Sequence, residues 1–175
     1  FDGVSDTVAE PLTISGSGLG SGGAIRHFAN NVNLSGGITL AADASMVSLA
    51  NTPTISGTLT VGTNTFSIDA SGTAVDITGA ITGSGTLTKT GASRLELDGD
   101  NSGFTGAMNL NEGSFRIGNS AGMSGGGTLV MADGTAIESS SSANRTITKD
   151  LTINGNVTFG AASTQTGTLI VDGAI

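Results

Sequence analysis

Gly83 to Asn119 reads GSGTLTKTGASRLELDGDNSGFTGAMNLNEGSFRIGN. Leu87 to Lys89, Leu95 to Leu97, Met108 to Leu110 and Phe115 to Ile117 are short alternating segments, each closed by Gly, Asn or Asp. Alternation with period two puts successive side chains on opposite faces of a strand, and the small polar closers supply tight turns. The run therefore predicts three or four strands in 37 residues, with no room for a helix between them.

The pattern extends beyond this run as a period of about 20 residues. Cutting before Leu12, Val32, Ile55, Val75, Leu95, Phe115, Ile137 and Val157 gives segments of 20, 23, 20, 20, 20, 22, 20 and 19 residues. Most open on an inward-outward-inward triplet: Val32 and Leu34, Val75 and Ile77, Leu95 and Leu97, Phe115 and Ile117, Val157 and Phe159. A second apolar cluster follows in each segment, such as Phe66 and Ile68, Leu87, Met108 and Leu110, Leu129 and Met131, Leu151 and Ile153, or Leu169 and Val171. A constant period with two or three strands per turn predicts an all-β, right-handed parallel β-helix. It would have about eight coils of roughly 20 residues, stacked about 4.8 Å apart into a rod about 38 Å long. Asp98 to Asn101, Asn111 to Gly113, Asp133-Gly134 and Asn154 to Asn156 are the expected corners, and Pro53 is expected to bulge outward within Ala50 to Thr54. Residues 1–11 read as a lead-in or the end of an upstream coil and residues 12–175 as β-helix. Both ends look like cuts in a longer array, whose open strand edges would favour end-to-end association.

The same run resembles a known family, the passenger-associated transport repeat of bacterial autotransporters, also called the autotransporter-associated β-strand repeat. The resemblance rests on Leu87-Thr-Lys-Thr-Gly91, Leu95-Glu-Leu97, Asn101 to Gly106 and Gly113 to Ile117, and covers about a fifth of the chain closely. Phe104 stands where the family has Tyr, and Gly103 separates Asn101 from Phe104 where the family has Thr. What the resemblance implies is a non-enzymatic structural passenger or stalk segment of a secreted or surface-displayed protein. Such repeats assist transport across the outer membrane and present adhesive or other functional parts. Within it, Lys89 is expected to point outward from its strand.

Composition agrees with a packed β protein. Gly, Ser and Thr make up about two-fifths of 175 residues, charged residues 11% and aromatics 3%, a balance unlike that of a disordered chain. The formal net charge of −8, with six Lys and Arg, disfavours nucleic acid and anionic membrane surfaces as partners. Neighbouring repeats of the same chain, a second copy, or a host or carbohydrate surface are the partners left. Without cysteine there is neither a disulfide framework nor a thiolate metal site.

Several strings imitate functional motifs, and each has a structural counter-reading. Gly18 to Gly23 fits GxGxxG with Asp43 some 20 residues on, but Gly-rich corners read the same way, and a dinucleotide site needs a helix to follow. Gly83 to Thr90 approaches a phosphate loop, with Thr88 where the glycine before the lysine should be. Asp98, Asp100, Asn101 and Gly103 resemble a calcium loop but lack the downstream Glu, so an Asx-bonded corner is expected. His27 is the only histidine, with no Cys or second His for zinc. Thr-x-Thr triplets at Thr58, Thr86 and Thr146 fall at different phases of the period and would not form one flat threonine face. In a bacterial protein, which the resemblance implies, the Asn33, Asn144 and Asn156 sequons are expected to carry no meaning. No cofactor or metal is expected.

The period itself yields one constellation. Stacked triplets would align Thr13, Asn33, Ser56, Asp76, Glu96, Arg116, Glu138 and Thr158 in an outward column. Asp76 and Glu96 would be like-charged neighbours about 5 Å apart, the separation retaining glycosidases use, which leaves a polysaccharide-cleaving or polysaccharide-binding β-helix as the alternative. The counter-reading is a solvated ladder neutralised by Arg116, favoured because the chain has no Trp or Tyr to stack on sugar rings. A self-associating adhesin surface of Ser, Thr and Asn ladders is the third reading.

Overall fold

The computed structural model describes residues 6–28, 30–161 and 167–175; of the lead-in, residues 1–5 lie outside this set. Among the described residues every strand pairing is parallel. The only helical element among the described residues is a single 3-10 turn at Leu19–Ser21. The chain winds as a β-solenoid of about seven turns, each turn passing through three walls.

The first wall contains Asp6–Val8, Val32–Leu34, Thr54–Ile55, Val75–Ile77, Arg94–Leu97, Ser114–Ile117, Ala136–Ser139 and Thr158–Ala161, in that order. The long strand Ile38–Ser48 bends from the second wall into the third, which joins the two into one sheet. Leu12–Gly16, Leu59–Gly62 and Ile81–Gly83 continue the second wall. Further along, that wall thins to bridges at Phe104 and Met123 and then to Arg145–Ile147 paired with Leu169–Val171. Ile25–His27, Thr65–Asp69, Thr86–Thr90, Ala107–Leu110, Thr128–Ala132 and Asp150–Asn154 stack on the third.

Alternation now has an energetic meaning, because each inward residue sits on its counterpart in the next coil. Leu34, Ile55, Ile77, Leu97 and Ile117 form one such column, and Val75, Leu95, Phe115 and Ile137 another. Ala44, Phe66, Leu87, Met108, Leu129 and Leu151 fill the third wall's column. Nearly all of these side chains have no exposed surface. Each large one removed from water contributes roughly 1.5–3 kcal/mol, so the continuous columns are what hold one coil on the next.

The register corrects four positional expectations. Ile55 aligns with Leu34 and Ile77, so it is the second inward residue of its coil, and Pro53, buried instead of bulging outward, occupies the opening position. Phe159 and not Val157 aligns with Ile137. Leu12 and Thr13 lie on the second wall, against Ile38 and Thr39. Leu169 and Val171 also belong to the second wall and not the third. In each case the coil is not 20 residues long, Asp6 to Val32 spanning 26 and Ile137 to Phe159 spanning 22, and equal spacing along the chain no longer means vertical alignment.

Two corners are built from glycine because coils approach there more closely than a Cβ allows. A Cβ on Gly79 would lie 2.1 Å from Gly57 O, and one on Gly99 would lie 2.0 Å from Gly79 O. At the other corner a Cβ on Gly106 would lie 1.8 Å from Gly85 O. The composition bias is thus a packing requirement at stacked corners.

Candidate functional site: an ion-pair ladder on the first wall

The outward column of the first wall runs Thr7, Asn33, Thr54, Asp76, Glu96, Arg116, Glu138, Gly160. Asn33, Asp76, Glu96, Arg116 and Glu138 are the members expected from the sequence. Thr13, Ser56 and Thr158 are not in it, displaced by the register corrections above.

Arg94, at the start of its strand, was not anticipated and changes the electrostatics. Its Nε donates to Glu96 Oε2 at 2.9 Å, and its Nη2 lies 3.7 Å from Asp76 Oδ1. Arg116 reaches Glu138 Oε2 at 3.2 Å and Glu96 Oε2 at 3.9 Å. The like-charged pair Asp76 and Glu96 is therefore bridged by one arginine, and Glu96 is held by two. Arg94 pairs in register with Ser114, one outward position before the column, so alternation from Leu95 was the signal that could have found it. Arg94 and Arg116 thus offset three carboxylates along the wall and tie adjacent coils through their side chains.

Burial raises the pKa of Asp76 above the ordinary carboxylate value, and Glu96 and Asp98 raise it further against the pull of Arg94 and Arg116. Its Oδ1 is shielded from solvent and accepts no hydrogen bond. Burial, with Glu96 adding to it, likewise raises Asp98. A group that takes up a proton more readily folded than unfolded weakens the fold as pH rises through its window, so ionised Asp76 costs stability at neutral pH. Asp76→Asn is accordingly expected to change the unfolding free energy at pH 7 by less than about 0.5 kcal/mol, and Glu96→Gln, which removes one carboxylate partner from each of two arginines, to lower it by about 1 kcal/mol. Urea unfolding of the two variants checks this ordering.

Other candidates find structural places. Lys89 points inward, aligned between Ile68 and Leu110, against the expectation that it faces outward. It is fully buried, with Nζ donating to Thr90 O at 2.8 Å, Gly91 O at 2.6 Å and Glu112 O at 3.1 Å. Burial pushes its pKa down to about 8 despite the carboxylates of Glu112 and Asp69. Lys149, not singled out in the sequence, is buried in the same way. Its Nζ donates to Phe104 O at 3.2 Å, Gly106 O at 3.1 Å and Gly126 O at 2.6 Å, and sits 5.0 Å from the Phe104 ring centroid. Burial pushes Lys149 down to about 8 as well. Period-two parity with Leu87, and with Ile147 and Leu151, marks both lysines as inward.

Asn101 is a staple and not an exposed corner. Its Oδ1 accepts Ile81 N–H at 2.7 Å and its Nδ2 donates to Gly122 O at 2.9 Å, joining three coils. Asp100 Oδ1 accepts Ser102 N–H at 3.0 Å, an Asx-type turn. Among the described residues no group of three His, Cys, Asp or Glu side chains converges as a metal would need. After Gly18 to Gly23 comes the strand Ile25–His27, and Asp43 Oδ1 accepts Thr65 N–H at 2.7 Å. His27 is buried, with Nε2 bonded to Asn30 O. Thr58 precedes a strand of the second wall, Thr146 lies within one and Thr86 lies in the third wall, but Thr13, Thr39, Thr60 and Thr82 do align in a single outward rank.

Fold and site together define a three-walled parallel β-solenoid in which Lys89, Asn101, Lys149 and the first-wall charges join coil to coil. Comparison with family models, with curated proteins and with solved structures returned no match.

Proposed function

We propose that the chain is a structural passenger or stalk segment of a secreted or surface-displayed bacterial autotransporter-like protein, assisting outer-membrane secretion and presenting adhesive or other functional parts. The observation that carries this reading lies in the repeat itself. Lys89 and Asn101, both within the run that resembles the transport repeat, bond to backbone of neighbouring coils. A coil that closes its polar groups on the one before it can be added stepwise as the chain emerges from a pore, each turn templating the next. Arginine-bridged carboxylates on the first wall fit the same role, since they hold coils together.

The test uses the full protein that contains this segment. Removing Gly83 to Asn119 is expected to reduce its secretion and surface display severalfold. Removing one coil in register, Leu95 to Ser114, whose flanks Arg94 and Phe115 stay one step apart in the winding, leaves a solenoid that can still close and is expected to reduce display less. Undiminished display of both variants would defeat the proposal.

A further inference from the structure

Residues 17–24, which carry most of the GxGxxG string, take no part in the ion-pair ladder or in the staples between coils. Gly16 pairs with Ala44 and Ile25 with Met46, so eight residues of one coil pass where the next has Ser45 alone. The surplus leaves the wall as a loop. It closes on itself through Gly23 N–H, which donates to Ser17 O at 2.7 Å, and through the 3-10 turn at Leu19–Ser21. A Cβ on Gly18 would lie 2.0 Å from Gly23 O, so only glycine permits so tight a closure. Where the loop departs from the wall lies a pocket of about 310 Å³, whose polar lining is Ser17, Asp43, Ser45, Thr65 and Ser67.

Ser45 and Ser67 are register partners, and they alternate with the inward Ala44 and Met46, Phe66 and Ile68. They therefore face outward, and the pocket opens sideways from the third wall, whatever stacks on either end of the solenoid. Asp43 Oδ1 accepts Thr65 N–H at 2.7 Å, which fixes the carboxylate and leaves Oδ2 for a ligand. None of the ion pairs among the described residues includes Asp43. Four hydroxyls thus surround one carboxylate that no cation neutralises. An ammonium group has three N–H donors and no acceptor, which suits a carboxylate flanked by hydroxyl oxygens. An anion would meet Asp43 and find no Lys or Arg in the lining. The net charge of −8 also draws cations toward the chain. The volume lies near the small end for ligand sites, so a single ring or a short chain fits.

We infer that this pocket binds a small primary ammonium compound, its N–H groups shared between Asp43 Oδ2 and the hydroxyls of Ser45, Thr65 and Ser67. Amino sugars and aliphatic amines both carry that group. The site is independent of the passenger role: secretion tests that role, and binding tests this pocket.

An NMR titration of the chain at about pH 6, where free amines are protonated and carboxylates ionised, reads the outcome with glucosamine, butylamine and glucose as probes. At least one amine is expected to move the amide signals of Asp43, Ser45, Thr65 and Ser67. Its dissociation constant should be on the order of 1 mM, in keeping with so small a ligand, and at least about tenfold below that of glucose. Whichever amine binds more tightly identifies the source, amino sugar or aliphatic amine. Sodium chloride is expected to weaken the binding severalfold. Asp43→Asn keeps an oxygen for Thr65 N–H but removes the charge, and Ser67→Leu fills the pocket from an outward position. Each is expected to weaken amine binding about tenfold or more. Circular dichroism checks that each variant keeps its β signal; Ser45→Leu replaces Ser67→Leu if the latter loses it. No amine binding at about 20 mM, glucose bound as tightly as the amines, or binding undiminished in either variant would overturn the proposal.

Discussion

Lys149→Met is expected to lower the unfolding free energy by about 3 kcal/mol and Lys149→Ala by about 5 kcal/mol, the difference being the cavity that alanine leaves. The ammonium has three N–H donors, and the fold supplies three carbonyls, from Phe104, Gly106 and Gly126, in coils that lie 23 to 45 residues earlier in the chain. Methionine fills most of the same space but strands those carbonyls away from water. Part of the loss is returned because the cost of burying a charge disappears, which keeps the methionine variant milder.

The same lysine, with Lys89, sets a dependence on alkaline pH. Both pKa values fall from 10.5 to about 8 on folding, so between those limits the unfolded chain binds more protons than the folded one. Stability then rises with pH from about 8 to about 10.5, while below 8 both states are protonated and the burial penalty stands in full. Urea midpoints of the wild type are expected to climb across that window, and the climb should shrink in Lys149→Met and nearly vanish when Lys89→Met is added. A flat wild-type profile would show that the carbonyl cages hold both ammonium groups charged at every pH tested.

Phe115→Ala is expected to cost about 4 kcal/mol, whereas Phe159→Ala should cost about 1 kcal/mol or less. Phe115 is fully buried between Leu95 and Ile137, where truncation leaves a void that rigid backbone on both sides cannot close. Phe159 occupies the same column but faces solvent at its end. Because each coil packs mainly on its immediate neighbours, the damage from Phe115→Ala should stay local. Amide exchange is expected to accelerate most in Arg94–Leu97, Ser114–Ile117 and Ala136–Ser139, and least in the coils near Val32.

These contrasts separate what chain order encodes from what winding adds. The alternation of Leu95 and Leu97, or Phe115 and Ile117, is a local property, since period two alone assigns their faces. Where consecutive coils are of equal length, as from Val75 through Leu95 to Phe115, spacing also gives the vertical neighbours, and the central part of the charged ladder was legible for that reason. Beyond those coils an unequal loop shifts the register, and only the stacked backbone shows that Pro53 and Phe159 occupy the positions spacing gave to Ile55 and Val157. The inward lysines were hidden for a different reason. Parity pointed Lys89 and Lys149 inward, yet Lys89 was expected outward and Lys149 was not singled out, because a buried ammonium is credible only once carbonyls from other coils surround it, and those carbonyls converge through the winding and not through sequence. Arg94 likewise acquires its role by lying beside Asp76, a carboxylate one coil away. The sequence by itself determined strands, faces and period; the tertiary structure decided the third wall, the true register and which charges meet, because those depend on where loops of different length deliver the chain.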